Sequence, residues 1–223
     1  MLKIEHLTKR FGGLLAVNDV STTIETGKIN AIIGPNGAGK TTFFNLIAGV
    51  HKPTSGTITL QGDDVTSLRP DQVAQLGVAR TFQTTSLFDM ATVLDNLIVG
   101  HRLRTRSGLL DVLRGSSLLR EEERKRVAFA LALATNPRLL LLDEPAGGVN
   151  PDETQGLAEL IRKIVKSGIT VCLIEHKMNM IMSLADKIMV LSYGEKIAEG
   201  TPAEIRANPV VIDAYLGSDH ADA

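Results

Sequence analysis

The stretch Gly34-Pro35-Asn36-Gly37-Ala38-Gly39-Lys40-Thr41-Thr42 constrains this chain more than any other. It fits G-x-x-x-x-G-K-[ST] without a mismatch. Lys28-Ile29-Asn30-Ala31-Ile32-Ile33 leads into it as a mostly apolar run. Phe43-Phe44-Asn45-Leu46-Ile47-Ala48-Gly49 follows as a helical pattern closed by glycine. Strand, glycine-rich loop and helix are the context a phosphate-binding loop requires. Its glycines allow backbone N–H groups to turn inward toward phosphate oxygens. A helix opening near Gly39 adds its positive end. In this pattern the backbone from Asn36, Gly37 and Ala38 through Gly39, Lys40, Thr41 and Thr42 cradles phosphates. Lys40 reaches the β- and γ-phosphates, and the Thr41 hydroxyl holds Mg²⁺.

A second pattern supplies the acids. Leu139-Leu140-Leu141-Leu142 is continuously apolar, as a strand covered on both faces should be, and it runs into Asp143-Glu144-Pro145. Asp143 is placed to hold Mg²⁺, mostly through water. Glu144, one residue further on, is placed to take a proton from an attacking water; its plainer reading is a carboxylate at a helix start. His176 follows the apolar run 169–174 after Glu175, and Gln83 follows the run 78–82 in the same way. Strand ends on one edge of a parallel sheet converge on the ligand crevice. His176 can then reach the γ-phosphate, and Gln83 can bind Mg²⁺ or orient water. Phe11, beside a glycine pair, is either an adenine-stacking ring or a core residue.

The remaining pattern sets the architecture. The first ~26 residues alternate apolar and polar around glycine turns and read as antiparallel strands. Residues 56–64 add a strand and turn, and Pro70 opens a short helix over 70–76. Residues 92–135 read as helical, with a basic loop at 102–108 and a solvated charge run at 121–126. From Arg138, strands at 139–142, 169–174 and 187–191 alternate with helices at 151–167 and 177–184, which implies a parallel sheet. The tail from Pro202 to Leu216 reads as short helices.

Bulk properties narrow the partners. The 223 residues are 43% hydrophobic with net charge −1, enough for a sizeable core and without the basic field that nucleic acid requires. The single cysteine, Cys172, lies in an apolar run and reads as a buried structural thiol in a reducing compartment. No apolar run approaches the ~18–20 residues of a membrane span. The N-terminus alternates and carries an acid, as a strand does and a signal peptide does not. A soluble chain whose membrane role needs a partner is the expectation.

Taken in order, Phe11, the loop at 34–42, Gln83, the apolar strand with two acids at 139–144, and His176 resemble the ATPase subunits of ABC transporters over nearly the whole chain. Ala79-Arg80-Thr81-Phe82-Gln83, Asp143-Glu144-Pro145-Ala146-Gly147-Gly148-Val149-Asn150-Pro151, and the ending from Asn208 to Gly217 are similar to the branched-chain amino acid importer branch. The resemblance implies an α/β P-loop core, a mostly parallel sheet flanked by helices, with an N-terminal antiparallel β lobe. Residues 1–82 and 136–223 would form that core and lobe, and 83–135 a helical lobe, in one domain. It also implies ATP and Mg²⁺ as ligands, and a second ATPase subunit paired head-to-tail, with Gly148-Val149-Asn150 contacting it. Membrane permease subunits would dock on the helical lobe and the Gln83 loop. The site would sit on the cytoplasmic face of the membrane, with no direct contact to cargo and no nucleic acid.

One departure stands out. The family's L-S-G-G-Q-like signature, expected between Gln83 and Asp143, is absent. Arg126 to Pro137 is similar to the helix that follows it, so a segment is missing near 120–126. Two explanations remain open: residues lost from the sequence as written, or a true deletion. The signature sets a helix N-terminus and a serine against ATP held by the opposite subunit. A true loss implies a nucleotide-gated binding module without efficient hydrolysis. A DNA-repair ATPase of the same type fits poorly, for want of a coiled coil, zinc-ligand cysteines or basic balance.

Overall fold

The computed structural model of the protein describes residues 1–81, 132–133, 135–147 and 151–216. Gln83, almost all of the expected helical lobe, the 120–126 region and the loop Gly148-Val149-Asn150 lie outside them.

Two sheets carry the chain. The first is antiparallel, in the order β2-β1-β4-β5, built from β1 (Leu2–Phe11), β2 (Leu14–Ile24), β4 (Ser55–Leu60) and β5 (Asp63–Asp64). The second has six strands in the order β10-β9-β3-β8-β7-β6. Its members are β3 (Ile29–Ile33), β6 (Val78–Thr81), β7 (Leu139–Asp143), β8 (Thr170–Ile174), β9 (Lys187–Ser192) and β10 (Glu195–Gly200). All its pairs are parallel except the β9–β10 hairpin. The helices are α1 (Lys40–Ile47), α2 (Pro70–Gln75), α3 (Pro151–Lys166), α4 (Met178–Leu184), α5 (Pro202–Ala207) and α6 (Pro209–Leu216).

The continuous apolar runs are explained by two cores, one on each face of the six-stranded sheet. Ile32, Leu139, Leu141, Cys172, Ile174, Met189 and Leu191 face the antiparallel sheet and α1, where Phe43 and Phe44 are fully buried. Their strand neighbours Ala31, Ile33, Leu140, Leu142, Val171, Leu173, Ile188 and Val190 face the opposite core, with α3, α4 and α5. Side chains alternate along a strand with a period of two, so a strand covered on both faces is apolar at most positions. The buried Asn30 in β3 is an exception, satisfied because its side chain accepts from the Glu25 N–H and donates to the Val171 carbonyl. Cys172 is fully buried in the first core, and burial pushes its thiol far above the ordinary range.

Element ends differ slightly from expectation, for local reasons. The helix expected over 70–76 stops at Gln75 because Gly77, at φ +90°, donates to the Ala74 carbonyl and turns the chain into β6. The helix expected from 177 opens at Met178, since Lys177, with ψ 87°, is its non-helical N-cap, whose carbonyl accepts from the Met180 and Ile181 N–H groups. The strand expected from 169 begins at Thr170, where pairing with Leu139 starts.

Candidate functional site

The parallel pairing of β3, β6, β7 and β8 brings their C-terminal ends to one edge of the sheet. The glycine-rich loop leaves β3 there, Asp143 ends β7, and Glu175 and His176 follow β8. Asp143 pairs in register with Ile174, so the two loops leave the sheet side by side.

Backbone geometry shapes the glycine-rich loop. Gly34 (φ +154°), Gly37 (φ +78°) and Gly39 (φ +95°) occupy conformations that side chains rarely adopt. A Cβ on Gly34 would stand 2.1 Å from the Leu191 carbonyl oxygen, and one on Gly39 would stand 2.3 Å from that of Ala16. The Gly194 N–H donates to the Ala38 carbonyl, so the β9–β10 turn clamps the loop from outside. Gly39 caps α1 without a side-chain hydrogen bond, and the first turn carries no acid. The positive helix end is therefore left to whatever anion the loop receives. Asn36, Gly37 and Thr41 are exposed, Thr42 is half-buried, and Ala38 is buried.

Lys40 is buried against the loop, and its Nζ donates to the carbonyls of Gly34 at 2.7 Å and Pro35 at 2.8 Å. Burial lowers its pKa, while the carboxylates of Glu144 and Asp143 act in the opposite sense.

Asp143 is buried, and its Oδ2 accepts from Arg80 Nη2 at 2.7 Å. Arg80 comes from β6, reaches Asn45 Oδ1 on α1 through Nη1 at 2.5 Å, and lies over the Phe44 ring. One guanidinium thus ties β6, β7 and α1 together. The next residue, Glu144, has φ +47°, and its backbone is pinned in that conformation: its N–H donates to Ile174 O at 2.9 Å and its carbonyl accepts from Gly147 N–H. A non-glycine residue held there marks a site whose surroundings over-determine the conformation.

His176 is exposed, with its Nδ1 3.5 Å from Glu175 Oε2. Phe11 ends β1 and is 40% exposed, so it is not a core residue. The ring packs edge-on against His51 with centroids 5.2 Å apart, and Lys9 Nζ sits 4.8 Å from its centroid. Its hairpin is held beside the loop by the close approach of Ala16 to Gly39.

Thr41 and Asp143 offer the oxygen donors a hard divalent cation prefers. Among the described residues no cluster of three His, Cys, Asp or Glu exists that could hold a metal unaided. This donor set therefore suits a cation that is shared with bound phosphate oxygens.

Two residues of this edge, Arg80 and Glu175, go beyond the sequence expectations. For Arg80, an arginine in a four-residue, mostly buried strand is the signal. For Glu175, an acid directly after an apolar strand is the same signal that identifies Asp143.

Residues 17–147 match the model of the family described as ABC transporter, over more than half of the chain. The chain belongs to the ABC transporter family. Residues 195–221 of the cassette also match a model described as branched-chain amino acid ATP-binding cassette transporter. The chain is 41% identical to the high-affinity branched-chain amino acid transport ATP-binding protein LivG of Salmonella typhimurium, over 97% of this chain and 98% of that protein. It is 40% identical to the high-affinity branched-chain amino acid transport ATP-binding protein BraF of Pseudomonas aeruginosa, at the same coverages. A nucleotide-free ATP-binding cassette from an ABC transporter superposes with TM-score 0.85 at 28% identity, covering 96% of this chain and 98% of that one. The ADP conformation of an ABC transporter cassette gives 0.86 at 28% identity, with coverages of 97% and 98%. The LivG alignment runs over 249 positions, and 97% of 223 residues fills only about 216 of them. At least about 33 positions of the alignment therefore face gaps in this chain, a shortfall of the size of a lost segment.

Proposed function

We propose that this cassette binds and hydrolyses ATP to power a membrane importer of branched-chain amino acids. One observation carries the reading: Lys40, on a loop with an uncapped helix end after β3, shares one edge of the parallel sheet with Asp143 and Glu144 at the end of β7. The branched-chain amino acid transport functions of LivG and BraF support the cargo.

In this reading the backbone of 36–42 and Lys40 hold the phosphates, and Phe11 stacks on the adenine from the adjoining hairpin. Thr41 and Asp143, with Gln83, would hold Mg²⁺, which when bound would neutralise phosphate charge. Glu144, pinned beyond Asp143, takes the proton of the attacking water. His176, on the neighbouring strand end, contacts the γ-phosphate. Among the described residues no helix is long and apolar enough to cross a membrane. The cassette would therefore reach the inner face of the membrane through permease subunits, paired head-to-tail with a second ATPase subunit.

Glu144→Gln should abolish turnover while nucleotide binding survives, read by steady-state ATPase assay beside titration with a fluorescent ATP analogue. Loss of binding as well would overturn the assigned role. Lys40→Ala should weaken binding itself. If the alignment shortfall is a true deletion, a second reading follows: a nucleotide-gated binding module without efficient hydrolysis. Steady ATPase activity of the full chain excludes that module.

A further inference from the structure

Glu175 is 1% exposed, in a chain where most acids face solvent. Its Oε1 accepts from the Ala146 N–H at 2.8 Å. Its Oε2 accepts from the His176 N–H at 2.8 Å and the Lys177 N–H at 3.2 Å. Ala146 lies two residues after Glu144, in the turn closed by Gly147 N–H on the Glu144 carbonyl. His176 and Lys177 begin the loop after β8. A single buried carboxylate therefore joins the turn that carries Glu144 to the loop that carries His176.

A charge removed from water is retained only where fixed donors replace the solvent. Here three backbone N–H groups do so. All three are donors, so the site demands a group that accepts at both ends. An ionised carboxylate is such a group; an amide can accept only at its oxygen and would turn an N–H₂ toward further N–H groups. Aspartate is one methylene shorter and cannot span both loops from the same backbone position.

We infer that Glu175 is a positioning residue for hydrolysis, setting the Glu144 turn and the His176 loop in one fixed relation. The inference rests on the proposed roles of Glu144 and His176. Buried and bonded to the backbone of both loops, Glu175 acts through the two loops that it bridges. Nucleotide affinity, which depends on the glycine-rich loop and Lys40, should be indifferent to it, whereas the chemical step should not.

The test compares the full chain with Glu175→Gln, Glu175→Asp, Glu144→Gln and His176→Ala, by steady-state ATPase kinetics and fluorescent-nucleotide titration. Glu175→Gln should lower kcat at least tenfold, with KM for ATP and nucleotide affinity within threefold of the wild type. Glu175→Asp should restore little of the loss. If Glu175→Gln keeps kcat within twofold while Glu144→Gln and His176→Ala lose turnover, the inference fails and the site reading stands. If Glu144→Gln and His176→Ala both turn over normally, the site reading itself fails. Amide hydrogen exchange of the wild-type chain needs no variant. The Ala146 and His176 amides, outside any strand, should exchange at least a hundredfold slower than in an unstructured peptide. Unprotected exchange there would overturn the bridge, including in the case where the wild-type chain does not turn over ATP or the variants do not fold.

Discussion

The loop after β3 and the loops after β7 and β8 meet at one sheet edge, yet they are built from different materials. Gly34 and Gly39 hold the first by conformations and close approaches that exclude any side chain. The second depends on charged side chains taken out of water: Arg80 against Asp143, and Glu175 against three backbone N–H groups. A backbone-built loop presents donors to a ligand with nothing to reorganise. Side-chain-built loops can be coupled to distant elements, as Arg80 couples β6 and α1 to Asp143. Binding and chemistry are thereby assigned to regions that should fail in different ways.

Breaking the charged region should cost the most. Removing one partner of a buried ion pair strands the other, a loss of roughly 3–5 kcal/mol. Arg80→Ala should lower unfolding stability by about that amount in urea titration. Replacing both partners, as in Arg80→Met with Asp143→Leu, should recover most of it, because a buried pair exchanged for packed apolar groups is often neutral. Equal losses in the single and double variants would mean that the guanidinium packs and the charge is incidental.

The glycine region should break next, and unevenly. Gly39→Ala meets both a forbidden φ and the Ala16 carbonyl, a cost of roughly 2–4 kcal/mol from strain and overpacking together. Gly37→Ala meets open space and only the strain of φ +78°, about 1 kcal/mol. Thermal melts and nucleotide titration of the two variants would check the contrast. Similar losses for both would show that space beside Ala16 is not what the loop requires.

The same contrast decides what could be read from the sequence. Glycine spacing encodes backbone conformation directly, so the loop at 34–42 was legible residue by residue. Continuous apolar runs gave β3, β7 and β8, because a strand covered on both faces is apolar at most positions. Asp143, Glu144 and His176 were legible as strand-end residues once those strands were placed. Arg80 and Glu175 were not assigned roles, since a buried charge and an exposed one are the same letter until register is known. Asp143 lies 63 positions from Arg80, and only the pairing of β6 with β7 brings them together. Ala146 lies 29 positions from Glu175, joined through the pairing of β7 with β8. Phe11 was left between two readings because alternation in β1 does not say where a strand's last ring points.

The smallest expected effect lies at the far end of the chain. Tyr215 on α6 packs, half-buried, against the core opposite the antiparallel sheet. Burial raises its pKa to about 12 from an ordinary value of 10.0. The folded protein therefore holds the phenol proton more tightly than the unfolded chain does. This contribution to stability is complete below pH 10 and is lost as pH rises from about 10 through about 12. The side chain keeps some solvent contact, so the loss should be about 1 kcal/mol or less. Tyr215→Phe removes the titrating proton. Its urea midpoint should lose the decline over that pH interval. A variant that shows the same alkaline decline as the wild type would assign that decline to other groups.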